Sequence, residues 1–183
     1  MSWMQTYTGK ALQFDDPKAD QICIEDIAHA LSNICRFSGH CKQHYSVAQH
    51  SVYVSQMVDP QDALSGLLHD ATEAYIGDMV SPLKRLIPQF ATYEDRLWRV
   101  IARKYKLPAD LPISVKRADL EMLSAEARDL CNADPILWGL RKAPENIRII
   151  PWTPEEAKVH FLDRFHVLTG EYATAMLSAS GMP

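Results

Sequence analysis

The amino-acid sequence predicts an all-α protein, on three observations. Six segments repeat apolar residues at intervals of three and four positions, which places those residues on one face of a helix. Only two short segments, Met4–Leu12 and Ile147–Trp152, have the composition of strands, and they can pair as a small two-stranded ribbon near the termini. No internal repeat or Gly/Ser-rich linker divides the 183 residues. We therefore expect one helical domain over residues 1–183.

Residues that start or stop helices bound the six predicted segments. Ser46 is followed three positions later by Gln49, as in a capping box, and Asp59 precedes Pro60, which suits a first helical turn. Thr153 opens the last segment with Pro and two Glu directly behind it. The predicted helices are Ile24–Ile34, Ser46–Asp59, Pro60–Gly77, Thr92–Tyr105, Ser114–Leu130 and Thr153–Leu168.

Composition narrows the class of partner and the compartment. The chain has 19 basic and 23 acidic residues and a formal charge of −4, without a basic stripe, which argues against a nucleic-acid partner. No apolar run approaches the roughly 18 residues that span a bilayer, so we expect no membrane partner. The four cysteines lack C-x-x-C spacing and the N-terminus lacks an apolar signal core, which predicts reduced thiols in a cytoplasmic protein.

Polar residues on the apolar faces of three predicted helices suggest a metal site. His50 follows Val47 by three positions on the second helix, and His69 and Asp70 follow two leucines at the end of the third. Asp119 occupies an inward position on the fifth helix. An inward His alone is more often a hydrogen-bonded core residue, and an Asp near a helix end is often a cap. Their conjunction favours one divalent transition ion, with Mn, Co, Fe, Ni and Zn all compatible with imidazole and carboxylate ligands.

The order His50, His69-Asp70, Asp119 resembles the His-Asp (HD) superfamily of metal-dependent phosphohydrolases. The strings SVAQHS, LLHDATEAYIGD, SPLKR and VKRADL, together with NICRFSGH and EEAKVHFLDRF, are similar to its small bacterial and phage branch. That branch includes 5′-deoxynucleotidases and phage-type deoxyadenosine triphosphate triphosphohydrolases. The resemblance covers nearly the whole chain and implies an HD-type helical bundle.

The resemblance also implies roles for individual residues. His50, His69, Asp70 and Asp119 would hold the ion. Glu73 and Asp78 would be catalytic, with Glu73 on the attacking water and Asp78 on the leaving group, although that division could be reversed. The residues implied in substrate binding are Arg36, Lys84 and His44 at the phosphate, and Phe37 and Pro82 beside the sugar and base. A surface role for Lys84 and a loop-capping role for His44 are about equally compatible with the sequence.

The sequence lacks the motifs of two other branches of the superfamily. After His69 the next histidine is His160, so the additional ligands of the di-iron members are absent and a single ion is expected. The residues Glu73-Ala74 replace the Glu-Asp of the guanosine-tetraphosphate hydrolases.

Three functions follow as expectations. The first is a 5′-deoxynucleotidase that releases phosphate from deoxynucleoside monophosphates, preferred because no extended Lys/Arg cluster for additional phosphates is evident near the motif. The second is a deoxynucleoside triphosphate triphosphohydrolase that releases inorganic triphosphate. The third is a catalytically silent nucleotide-sensing or partner-binding protein. The resemblance further implies a homo-oligomer, either a dimer or a hexamer.

Overall fold

The computed structural model describes residues 2–170, and helices dominate that part of the chain, which confirms the all-α prediction. None of these helices is long and apolar enough to cross a membrane. Short 3₁₀ turns at Ala19–Gln21, Arg36–Gly39, Pro60–Asp62 and Pro135–Trp138 join several of them. The helices are α1 (Ile24–Asn33), α2 (Val47–Met57), α3 (Ala63–Leu68), α4 (Glu73–Ile76), α5 (Ser81–Lys84), α6 (Pro88–Tyr105), α7 (Ile113–Leu130) and α8 (Pro154–Thr169).

The predicted ribbon exists, but its pairing differs from the prediction. Strand β1 (Trp3–Gln5) pairs antiparallel with β2 (Ala11–Gln13), so Met4–Leu12 folds back on itself as a hairpin. Gly9 makes this possible because its φ of 85° suits a tight turn.

The segment Ile147–Trp152 is not a strand, so its predicted pairing was wrong. Side chains distant in the sequence bind its backbone instead. Ile149 N–H donates to Asp129 Oδ2 at 3.1 Å, and Trp152 N–H donates to Gln49 Oε1 at 2.8 Å. These bonds leave the segment without the regular ladder of a strand.

The predicted third helix, Pro60–Gly77, is interrupted. The Ala71 N–H bonds to Leu68 O at 3.0 Å, and the Glu73 N–H bonds to Asp70 O at 2.9 Å. These i→i−3 bonds tighten the chain between α3 and α4. His69 and Asp70 are adjacent residues of this interrupted segment, and His69 Nε2 lies 3.2 Å from Asp70 Oδ2.

Other helix boundaries agree with their local signals to different degrees. Thr153 and Glu156 form a reciprocal capping box at α8, as the helix-start signal suggested. At α2, Gln49 N–H donates to Ser46 Oγ at 3.1 Å, but the Gln49 side chain turns to the Ile147–Trp152 segment, so the predicted box is only half formed. Helix α6 begins at Pro88 instead of Thr92, with Pro in its first turn.

Helix α2 is the centre of the molecule and lies between two apolar clusters. It contacts α1, α3, α7 and α8, and all but three of its residues are buried. One cluster joins α2 to α1, α3, α6 and α8, and includes Ile27, Leu31, Leu67, Ile101 and Phe161. The other joins α2 to α7 and includes Tyr45, Val54, Val115, Met122 and Ile149. A polar side chain on α2 therefore has little access to water.

Close packing of α3 on α2 depends on Gly66. A Cβ atom at this position would lie 3.0 Å from Ser55 Cα and 3.3 Å from Ser55 N, both backbone atoms of α2. Backbone atoms cannot rotate away, so a side chain here would push the two helices apart.

We predict that Gly66→Ala destabilises the protein by about 1–2 kcal/mol, because overpacking outweighs the roughly 1 kcal/mol that alanine gains in a helix. Urea unfolding followed by circular dichroism measures this change. The control is Gln61→Ala at an exposed position just before α3. A Gly66→Ala protein as stable as the parent would contradict the tight contact.

Candidate metal centre

Four of the predicted ligand side chains converge on one point. His50 comes from α2, His69 and Asp70 from the turn after α3, and Asp119 from α7. His50 Nε2 lies 3.1 Å from Asp119 Oδ1 and 3.7 Å from Asp70 Oδ2. His69 Nε2 lies 3.2 Å from Asp70 Oδ2 and 4.0 Å from Asp119 Oδ1. Ligand atoms of His50, His69 and Asp119 all lie within 4.8 Å of one another, so this group could hold a metal ion.

The two imidazoles present unsatisfied nitrogens to this point. His50 is 0% exposed and His69 is 9% exposed. Neither Nε2 atom has a hydrogen-bond partner of acceptable geometry, although carboxylates lie close by. A buried polar atom without a partner costs about 1–3 kcal/mol, so two such atoms that face each other need a compensating ligand.

The opposite ring nitrogens are held by acceptors. His50 Nδ1 lies 2.6 Å from Glu126 Oε1, and His69 Nδ1 lies 2.8 Å from Gly66 O. A carboxylate and a carbonyl both accept, so each Nδ1 carries a hydrogen, and each Nε2 is the ring atom left to face the centre. This is the arrangement that orients histidine ligands of metals. The donor set therefore fits a divalent cation.

Glu126 is a site residue that the sequence reasoning missed. It is 0% exposed and accepts from Arg36 Nε at 3.2 Å and from Arg36 Nη2 at 3.1 Å. Its position, seven residues after Asp119 and between Ala125 and Ala127 on the inward face of α7, was the signal that could have found it. Arg36 and Glu126 together form a buried ion pair behind His50.

The charges of the cluster shift its pKa values in opposite directions. Burial and Arg36 lower the pKa of His50, but Glu126 and Asp119 outweigh them and raise it to about 9. Burial raises the pKa of Asp70, but His69, His50 and Arg36 outweigh burial and hold that pKa well below its usual range. The carboxylate of Asp70 is thus ionised and available as a ligand.

Glu73 and Asp78, the predicted catalytic pair, lie near enough to this cluster for its charges to shift their pKa values. Glu73 begins α4, is 5% exposed, and its Oε2 has no partner. Burial, with the charges of Asp70 and Asp78, raises the pKa of Glu73 well above its usual range. Half-buried Asp78 follows Gly77, and burial raises its pKa too, against the opposing charge of Arg36. Two carboxyl groups that hold protons more tightly than usual therefore border the centre.

The predicted phosphate-binding cations already have acidic partners. The Nε and Nη2 atoms of Arg36 face Glu126, while its Nη1 lies 3.6 Å from Asp70 Oδ2 on the side of the centre. Lys84 Nζ lies 2.6 Å from Glu94 Oε1 and 4.0 Å from Glu73 Oε1. Phosphate contact by these side chains remains a prediction, and for Arg36 it is confined to Nη1.

The other predicted substrate residues, Phe37, Pro82 and His44, lie in different surroundings. The Phe37 ring lies beside Arg36, whose Cζ is 5.5 Å from the ring centroid. The centroids of the Phe37 and Trp138 rings are 6.0 Å apart. Pro82 is exposed in the first turn of α5. His44 Nε2 lies 3.2 Å from Ser32 O, which favours the loop-capping role over phosphate binding.

We predict that Glu126→Gln weakens Mn²⁺ binding roughly 10–100-fold, because removing the charge behind an imidazole lowers its basicity as a ligand. Isothermal titration of the chelator-treated protein with Mn²⁺ measures this change. Glu121→Gln, on the exposed face of α7, is the control and should bind as the parent does. Equal affinities for a folded Glu126→Gln protein and the parent would contradict the proposed orientation of His50.

Comparison with known proteins identifies relatives of the chain. No protein-family model matches it. The uncharacterized protein YfdR of Escherichia coli strain K12 is 45% identical over 172 residues, which cover 92% of this chain and 97% of that protein. The uncharacterized protein RCAP_rcc00048 of Rhodobacter capsulatus is 33% identical over an alignment 194 positions long, which covers 91% of this chain and 95% of that protein. The chain belongs to the family that these two bacterial proteins share.

Proposed function

We propose that the protein is a metal-dependent nucleotide phosphohydrolase, and specifically a 5′-deoxynucleotidase that releases phosphate from deoxynucleoside 5′-monophosphates. The observation that carries the proposal is the pair of unsatisfied imidazole nitrogens, on His50 and His69, beside Asp70 and Asp119. A buried carboxyl group and a guanidinium border the same centre. Phosphate ester hydrolysis needs this combination of ligands, cation and proton carriers.

The donor set fits one divalent transition ion. Imidazole and carboxylate together suit Mn, Co, Fe, Ni or Zn, and the ligands would be His50, His69, Asp70 and Asp119. When bound, such an ion would supply a water of lowered pKa and neutralise charge on the phosphoryl oxygens.

The chain's own carboxyl groups would move the protons. Glu73, whose Oε2 has no partner, would accept a proton from the attacking water as its oxygen bonds to phosphorus. Asp78 would donate a proton to the nucleoside 5′ oxygen as its bond to phosphorus breaks. The raised pKa values of both groups suit proton exchange nearer to neutral pH than an ordinary carboxyl allows.

The surroundings favour a substrate with one phosphate. Arg36 and Lys84 are the guanidinium and ammonium groups whose charges lower the pKa values of Glu73 and Asp78. Each is already paired with a carboxylate, which leaves little positive charge for the additional phosphates of a triphosphate. Phe37, with Pro82, would lie against the sugar, where an apolar ring disfavours a 2′-hydroxyl that it cannot hydrogen-bond.

We predict that the purified protein with Mn²⁺ or Co²⁺ hydrolyses deoxynucleoside monophosphates faster than the matching ribonucleotides. A screen of mono- and triphosphates that resolves orthophosphate from inorganic triphosphate measures this. Asp70→Asn should abolish turnover while helical content is retained, and Asp95→Asn, in an exposed ion pair on α6, should be neutral.

The products of that screen separate the alternatives. Inorganic triphosphate from deoxynucleoside triphosphates would replace the proposal with triphosphohydrolase activity. Nucleotide binding without any hydrolysis would indicate a sensing or partner-binding protein.

We predict that Glu73→Gln lowers kcat roughly 10²–10⁴-fold, because the proton acceptor is lost. Mn²⁺ affinity should stay unchanged, since Glu73 is not assigned as a ligand. Steady-state kinetics and metal titration together make this test. Near-normal kcat would refute the role, and Glu121→Gln is again the matched control.

A further inference from the structure

Two cysteines flank the turn that carries Arg36, and their sulfur atoms are in contact. Cys35 Sγ lies 3.6 Å from Cys41 Sγ. The Cys41 thiol lies 2.9 Å from the Gln43 carbonyl, to which it donates. Both cysteines are half-buried, so each keeps some contact with solvent.

The backbone on either side holds the two thiols in this arrangement. Cys35 pairs with Ser46 in an isolated antiparallel bridge. Between the cysteines the chain reverses through Phe37, Ser38 and Gly39, with φ values of 58°, 52° and 81°. Non-glycine residues rarely adopt positive φ. The contact between the sulfurs is therefore the result of a specifically shaped loop.

The remaining cysteines differ in their neighbours. Cys23 donates to Glu25 Oε2 at 2.6 Å. Cys131 follows α7, near enough for its charge to act on Cys41. Within residues 2–170, Cys35 and Cys41 form the one thiol pair in direct contact.

We propose that Cys35 and Cys41 are a reversible dithiol–disulfide site that is oxidised by exchange with a low-molecular-weight disulfide such as glutathione disulfide. The Cys35 thiolate attacks one reagent sulfur, the reagent S–S bond breaks, and one glutathione leaves. Cys41 loses its proton to solvent and attacks the Cys35 sulfur, which releases the second glutathione. Two protein thiols are oxidised and one glutathione disulfide is reduced to two thiols.

The order of attack follows from the surroundings of Cys41. The Cys41 thiol is held as a donor to the Gln43 carbonyl, and burial and the neighbouring Cys35 raise its pKa to about 11, so Cys41 is assigned the second step. Cys35 is held by its bridge to Ser46, so Cys41 is the residue that moves as the sulfurs close to about 2.05 Å. The hydrogen bond from the Cys41 thiol to the Gln43 carbonyl breaks in that movement.

The disulfide would close a ring around the segment Arg36–His40. A ring restricts the unfolded chain more than the folded one, so the oxidised protein should be the more stable form. Arg36 lies in this ring and pairs with Glu126, which contacts His50. The disulfide would therefore hold the loop that anchors this ion pair. The cross-link itself does not depend on the proposed hydrolase activity.

The test incubates the folded protein with glutathione buffers of increasing oxidised fraction at mildly alkaline pH. Free thiols are then alkylated, and the peptides are mapped by mass spectrometry. We expect a Cys35–Cys41 cross-linked peptide that dithiothreitol removes, and a thermal midpoint that rises by roughly 5–10 °C in the oxidised form.

Single substitutions make the test specific. Cys41→Ser should lose the cross-link and trap glutathione on Cys35, whereas Cys23→Ser should form the cross-link as the parent does. Three results would overturn the proposal: no cross-link in the folded protein, preferential pairing of Cys41 with Cys131, or a lower thermal midpoint after oxidation.

Discussion

The buried imidazole of His50 sets the constraint on which the rest of the site depends. Glu126 fixes its Nδ1, and its Nε2 is left without a hydrogen bond among carboxylates. Glu126 is itself buried and needs the guanidinium of Arg36, because an isolated ion in the interior is far too costly. The Arg36 guanidinium therefore compensates the charge of Glu126, and Glu126 in turn holds His50. The Nε2 atom of His50 then faces a point that suits a cation. Burying any one of these side chains without its partner would cost free energy of folding.

Backbone geometry supplies what these side chains require. The turn after α3 carries both His69 and Asp70, and Gly66 lets α3 approach α2 while its carbonyl holds His69. The turn between Cys35 and Cys41 carries Arg36, which pairs with the Glu126 carboxylate that contacts His50. Packing and chemistry are thus linked, since the close approach of the helices is what removes water from the imidazoles.

Local signals in the sequence were sufficient for the approximate extent of α1, α2, α7 and α8, and helical spacing placed His50 and Asp119 on helix faces that meet. Long-range contacts decided the rest. No local pattern in the sequence marked the break between α3 and α4. Ile147–Trp152 resembles a strand until Gln49 and Asp129 occupy its backbone groups. Glu126 was missed because a helical glutamate usually faces solvent, and only its partner Arg36, distant in sequence, makes it a core residue.

The proposed centre holds one divalent cation between α2, the turn after α3, and α7. A crystal grown with Mn²⁺ and measured by anomalous diffraction on both sides of the manganese absorption edge would locate that ion. We predict one strong anomalous peak coordinated by His50, His69, Asp70 and Asp119. A map without a peak at that position, or a peak bound by other side chains, would disprove the proposed metal centre.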